Sequence, residues 1–344
     1  MKLHIHHPGR KTTIALFAVL FLVLGVMDIA YNRPARASGV AQWGVTFSHT
    51  FGKYIGIDWR ELYFAILDDL KVRNIRIPVY WPVIEATEGN FSFDDYDFMV
   101  REAEARDAKL ILVVGKRVPR WPECHIPEWA NGRSQDEQEA ALKNAIIKTV
   151  ERYKYSDAVV AWQVENEPFL VLFGECPPLR AADLDAEIAL VKLLDPLKPV
   201  IVTDSGELSV WLPAYKRADI FGTTMYRSVW SDHISPYIGY FTYPLPPQFF
   251  WLKANISRAL YGDKPIIVSE LQAEPWGPEF SRILTMTESE TAETMSHTQF
   301  YDNIAYAREA GFSEVYLWGV EWWYAMKEQR GDPFYWEAAR ELFK

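Results

Sequence analysis

The feature that most limits the folds open to this chain is a repeat of short apolar segments, each followed by a helical pattern. Strand candidates recur after residue 40, at 41–47, 74–80, 109–115, 158–166, 199–204, 219–225, 265–270 and 313–319. Runs such as Ala158-Val159-Val160 show no helical period, which suits parallel strands covered on both faces. Amphipathic helical patterns follow, for example over 59–72, 94–107, 135–153, 181–194, 292–310 and 336–343. Strand–helix units repeated eight times predict an α/β fold of the (β/α)8 barrel type rather than an open sheet. The fifth unit is the tightest and leaves room only for a short helix over 207–216. Longer stretches after strands three, four, six and seven predict a cleft at one end of the barrel. The 344 residues, 49% of them hydrophobic, suffice for one large domain over 38–344.

Two predicted strands close on carboxylates. Ala161-Trp162-Gln163-Val164-Glu165-Asn166-Glu167-Pro168 ends strand four, and Pro168 is expected to hold Glu167 extended. Pro265-Ile266-Ile267-Val268-Ser269-Glu270 ends strand seven. The carboxyl ends of the strands carry the chemistry in parallel α/β barrels. Glu167 and Glu270 are therefore a candidate pair of acid/base and nucleophile. Glu165 points the same way as Glu167 but sits deeper, which fits a structural role with Arg76 as partner. Arg76 lies within the apolar strand Asn74-Ile75-Arg76-Ile77-Pro78, and a buried guanidinium needs a negative partner. An inward glutamate on a nearby strand is the natural one; an ion pair elsewhere in the barrel is the alternative.

Other candidates stand at strand ends. Tyr226, after strand six, is placed to donate a hydrogen bond to the nucleophile. Trp318, ending strand eight, either floors a sugar site or plugs the barrel. His49, after strand one, either binds a sugar hydroxyl or is structural. Glu274, in the loop after strand seven, is placed to bind substrate. The loop 116–122 either contacts an acidic or polyhydroxylated ligand or is a rigid, proline-braced segment whose cations offset nearby carboxylates. The chain has 14 tryptophans. Trp81, Trp121, Trp129, Trp230, Trp276, Trp322 and Trp323 follow predicted strands, where flat rings can stack on sugars; core packing is their other use.

The amino terminus reads as a targeting segment over 1–37. Lys2, Arg10 and Lys11 precede the apolar run 14–27, and Ala35-Arg36-Ala37 offers a cleavage site. As a helix that run spans about 21 Å, short of a bilayer core of about 30 Å. A cleaved signal is slightly favoured over a retained membrane anchor; either predicts export of the barrel. In an oxidising compartment Cys124 and Cys176, at matching places beyond neighbouring strands, are expected to form a disulfide; two free thiols are the alternative. A metal site is not expected, since His125 is the only imidazole nearby. The net charge of −10 argues against nucleic acid as a partner.

Asn166-Glu167-Pro168, Glu270, Arg76, Tyr226 and Trp318, in this barrel order, resemble clan A of the retaining glycoside hydrolases, closest to the family 5 (cellulase-like) group. Residues 78–85 and 88–93 are also similar to clan A galactosidases and xylosidases. The resemblance covers residue 41 to the end. It implies that Glu167 is the general acid/base, Glu270 the nucleophile, and Asn166 a ligand of the sugar 2-hydroxyl. It departs from family 5 at Thr224 and at Lys116 and Arg117, where that family carries histidines. The expected activity is that of an exported retaining β-glycosidase working by double displacement, with a carbohydrate substrate and without metal or organic cofactor. The long aromatic loops favour an oligo- or polysaccharide over a small glycoside. A transglycosylase using the same pair and a non-catalytic, membrane-tethered carbohydrate-binding barrel are the alternatives.

Overall fold

The computed structural model, which describes residues 42–176, 179–231, 234–278 and 283–344, closes eight parallel strands into a barrel. They are β1 (Gln42–Thr46), β2 (Asn74–Pro78), β3 (Lys109–Val114), β4 (Val159–Val164), β5 (Val200–Asp204), β6 (Ile220–Met225), β7 (Ile266–Gln272) and β8 (Glu314–Trp318). Each pairs with its neighbours in chain order, and β8 returns to β1, so no open edge remains. The fold is the (β/α)8 barrel expected from the strand–helix repeat. The expected signal or anchor over 1–37 lies outside the described residues. Among the described residues no helix is long and apolar enough to cross a membrane.

The helices Gln135–Tyr153 and Ala181–Leu194 have the predicted bounds, and a Ser134–Glu137 capping box starts the first. Three patterns resolve differently. The stretch 59–72 is an α-helix over Trp59–Phe64 that loosens into a π turn over Ala65–Asp69. The stretch 292–310 divides into Glu288–Met295 and His297–Ala310, because Ser296 takes an extended backbone and caps the second helix through Gln299 N–H. Within 207–216 only Leu212–Tyr215 is helical. Helices Gln248–Tyr261 and Val320–Arg330 complete the outer ring.

The barrel interior is layered. Ile111, Ala161, Ile201, Ile267 and Tyr316, one each from five strands, form an apolar plug. Above it lies a polar layer of Thr46, Arg76, Gln163, Thr203 and Ser269, all buried. Such groups must satisfy one another, since leaving one unpaired costs about 1–3 kcal/mol. The register slips between Thr223 and Thr224 on β6, so that Thr224 lies opposite Glu270 on β7. An irregularity of that kind re-aims the side chains beyond it.

Close packing within the barrel shows at Gly44 of β1. A Cβ there would meet Asn74 O at 2.6 Å and the Tyr316 ring at 2.7 Å. Gly44→Ala should therefore destabilise the fold by about 1–3 kcal/mol, the usual cost of overpacking. Chemical denaturation would measure it, and an unchanged midpoint would show that the Tyr316 ring can yield.

Candidate active site

The carboxyl ends of the strands and the long loops beyond them enclose a cavity of ≈ 700 Å³. Glu167, Glu270, Tyr226, Glu274 and Trp318 line it, together with Glu123, Thr224 and Arg120. The organising group is Arg76, fully buried on β2. Its Nη1 donates to Glu270 Oε1 at 2.8 Å, its Nη2 to Asn166 Oδ1 at 2.8 Å, and its Nε to Gln163 Oε1 at 2.7 Å. The partner expected on a neighbouring strand is thus Glu270 across the barrel. Glu165, proposed above as an Arg76 partner, is engaged elsewhere. It accepts from the backbone N–H groups of Lys116 at 2.9 Å and Arg117 at 2.7 Å. Gly115 is required there, because a Cβ would lie 2.5 Å from the Glu165 carboxyl.

The second oxygen of Glu270 accepts from the Tyr226 hydroxyl at 2.9 Å. Burial and the Glu270 charge hold the Tyr226 phenol well above its usual range, so it stays a donor. Both oxygens of Glu270 are thus fixed by donors, the arrangement of an aligned carboxylate. Glu167 has a different setting. Its backbone has a positive φ of 44°, not the extended conformation expected before Pro168. Local steric preference yields to tertiary bonds: Glu167 N–H donates to Thr203 Oγ1 at 2.9 Å, and Leu170 N–H donates to Glu167 O at 2.9 Å. Its side chain accepts from the hydroxyl of Thr224, which donates to Oε1 at 3.2 Å. Burial first, then the charges of Glu270 and Glu123, push the Glu167 carboxyl well above the usual carboxylate range. Two glutamates at one mouth therefore sit in opposite environments.

Glu123 was missed by sequence reasoning. It lies in the β3–β4 connection next to Cys124, with a positive φ of 72°, and no motif marks it. Asn166 Nδ2 donates to its Oε2 at 2.9 Å, and burial with the Glu270 charge raises its carboxyl to about 7. The Cys124–Cys176 disulfide is present and ties the loop carrying Glu123 to the loop beyond β4. The Asn166 amide is held on both sides, by Arg76 and Glu123.

Of the loop 116–122, the cations serve the frame. Lys116 pairs with Glu139, Arg117 donates to the carbonyls of Leu170 and Phe173, and Arg120 pairs with Glu274 and Glu321. The Arg120 guanidinium lies 3.9 Å from the Phe51 ring centre and 4.2 Å from that of Trp318. Trp318 faces the cavity, and its Nε1 donates to Glu274 Oε1 at 2.7 Å. Glu274 is therefore a buried brace at the cavity wall.

Several expected ligands are core residues instead. His49 is fully buried among Trp59, Tyr80 and Tyr96 and does not line the cavity. Burial and the Lys53 charge lower its pKa to about 4, so it is a neutral packing residue. Trp81 is buried against Trp129 and donates to Glu85 Oε2 at 2.7 Å, and Trp129 Nε1 donates to Glu85 O. Trp322 and Trp323 are fully buried in the helix after β8. Their spacing suited a helix packed inward, a use the strand-end argument overlooked. Trp121, Trp230 and Trp276 do line the cavity. Among the described residues no cluster of side chains could hold a metal ion.

The fold recurs in known structures. A family model, glycosyl hydrolase family 10, matches residues 78–171, the stretch that supplies Glu123, Asn166 and Glu167. The xylanase 10B of Thermotoga petrophila RKU-1, solved with xylobiose, superposes with a TM-score of 0.54 at 16% identity over 81% of this chain and 82% of that one. A GH5_18 protein of Bifidobacterium longum subsp. infantis does so at 0.55 and 15% identity, over 81% of this chain and 69% of that one. The barrel has the fold of the clan A glycoside hydrolases. The β-galactosidase of the psychrophile Marinomonas ef1 also matches, with a TM-score of 0.54 and 12% identity over 80% of this chain, which spans only 53% of its length. No curated protein matches the sequence.

Removing one of the charges around Glu167 should be measurable without any substrate. Glu123→Gln should lower the Glu167 pKa, because one of the acidic neighbours that raise it can no longer carry charge. Carboxyl carbon chemical shifts followed through a pH titration would read it. An unmoved titration would mean that burial and Glu270 set the Glu167 pKa without Glu123.

Proposed function

We propose that the protein is a retaining β-glycosidase, with Glu270 as nucleophile and Glu167 as general acid/base. The observation that carries this reading is the contrast between the two carboxyl groups. One is held on both oxygens by Arg76 and Tyr226, and the other is buried with its pKa raised by its neighbours. A glycosidic oxygen leaves poorly as an alkoxide, so an acid near neutral pKa speeds the reaction by roughly 10²–10⁴-fold.

In the first step Glu270 attacks the anomeric carbon while the bond from that carbon to the leaving oxygen breaks. Glu167 gives its proton to that oxygen. In the second step water attacks the same carbon, Glu167 takes the water proton, and the ester to Glu270 breaks. Direct attack requires carboxyl groups about 5–5.5 Å apart; about 6.5–9.5 Å would accommodate a water and invert. Thr224, which stands where family 5 carries a histidine, donates to the acid rather than to the nucleophile. Asn166, to which the resemblance assigns the sugar 2-hydroxyl, has its amide held by Arg76 and Glu123. The N-terminal segment is read as directing the barrel out of the cytoplasm.

Labelling with a panel of 2-deoxy-2-fluoro glycosides, followed by peptide mass spectrometry, should place the label on Glu270. A label elsewhere would overturn the assignment. Glu167→Gln should lower kcat by about 10²–10⁴-fold. The acid must be protonated, so kcat/KM should fall as pH rises through the raised Glu167 pKa, on a limb above the ordinary carboxylate range. The Gln variant should lose that limb; a limb that persists would mean that another group supplies the proton.

A further inference from the structure

The cavity divides by chemistry along its depth. Every charged residue that lines it (Arg120, Glu123, Glu167, Glu207, Glu270 and Glu274) is buried or half-buried. Among the described lining residues the exposed ones are Tyr54, Trp121, Val171, Leu172, Leu208 and Pro278, none of them charged and four of them aliphatic or proline. Val171 is 65% exposed and Leu172 60%. An aromatic wall connects the two zones. The Tyr226 ring lies 4.8 Å from Trp276, Trp276 lies 5.3 Å from Phe173, and Phe173 lies 5.9 Å from Trp121 at the rim. Ile283 and Met286 also line the cavity.

Apolar side chains concentrated at one concave mouth mark a binding surface rather than ordinary surface scatter. A second or third sugar ring there would exchange water for aliphatic walls at its hydroxyls, which costs free energy when no partner replaces the water. An alkyl or other apolar group would lose nothing of that kind. Its burial would be favourable in proportion to area.

We infer that the leaving group of the substrate is apolar: the sugar occupies the carboxylate floor, and a hydrophobic aglycone lies in the vestibule of Val171, Leu172, Leu208 and the aromatic wall. This rests on the glycosidase reading and refines it away from a hydroxyl-rich polymer on the leaving-group side. The aglycone departs as an alcohol carrying the proton from Glu167, and water later releases the sugar from Glu270.

The test is kcat/KM for methyl, hexyl and octyl β-D-glucosides and β-D-galactosides, each below its micellar concentration. Complete burial is worth roughly fourfold per CH2, so partial burial in an open vestibule should raise kcat/KM at least about tenfold from methyl to octyl. The double variant Val171→Asn, Leu172→Gln, checked for unchanged thermal unfolding, should bring the octyl-to-methyl ratio close to one. A ratio near one in the unaltered protein, or a ratio that survives the double variant, would overturn the inference and leave the glycosidase reading intact. If no alkyl glycoside and no fluoro-sugar reacts, the glycosidase reading fails. Calorimetry then decides the vestibule: octyl β-D-glucoside binding that the methyl glucoside lacks, and that the double variant abolishes, supports it, and equal or absent binding overturns it. A dimer in sedimentation that the double variant dissolves, with no octyl glucoside binding, would assign the patch to a second copy of the chain and overturn it too.

Discussion

The arrangement at the mouth depends on one buried cation. Arg76 rises from β2 into a barrel whose lower half is closed by an apolar plug, so its guanidinium cannot reach water. Its charge has to be met inside the protein, and the fold meets it with Glu270 from β7, Asn166 after β4 and Gln163 on β4. An unpaired buried guanidinium would be very costly, and removing one partner of a buried pair typically costs about 3–5 kcal/mol. The same contacts that settle the cation therefore fix the nucleophile candidate and its neighbouring amide. Stability and the geometry of the site share atoms here.

A second cation, Arg120, repeats the logic in the loop after β3. It is stacked between Phe51 and Trp318 and paired with Glu274 and Glu321. Through Glu321, which accepts from Ser48 N–H at 2.5 Å, the wall is tied to the loop after β1. The aromatic floor and the loop beyond β3 thereby become one unit. The disulfide between Cys124 and Cys176 adds a covalent tie between that loop and the one beyond β4. Glu123 lies inside this frame. Its closeness to Glu167 and Glu270 gives three carboxyl groups near one buried cation, and such an excess of negative charge favours keeping protons on two of them. That would be the physical basis for the proposed acid to work near neutral pH.

The vestibule obeys a different constraint. Loops beyond the strands carry few obligations to the barrel core, so their side chains are open to a ligand's chemistry. In this chain they place aliphatic and aromatic groups outward and leave charge below. The division between a charged floor and an apolar mouth suits a ligand with two unlike ends.

Much of this was legible in the chain. Apolar runs without helical period identified the parallel strands, and their number identified the barrel. A carboxylate closing each of two such strands could only project at one end, so the Glu167 and Glu270 pair followed from periodicity. An arginine in an apolar strand had to find an acid, although sequence could not choose between Glu165 and Glu270. What escaped was everything set by distances between loops. Nothing local distinguishes Glu123 from other loop glutamates, His49 from a ligand, or Trp322 from a stacking platform. Even the backbone at Glu167 defied its local preference before Pro168, because a threonine hydroxyl on the next strand holds its N–H. The sequence by itself determined the barrel, its charged floor and the placement of the two glutamates at one end, because hydrophobic period and strand direction are local properties. Only the tertiary structure decided which groups pair, which rings face the cavity and how the carboxyl groups differ, because these depend on burial and on charges far apart in the chain.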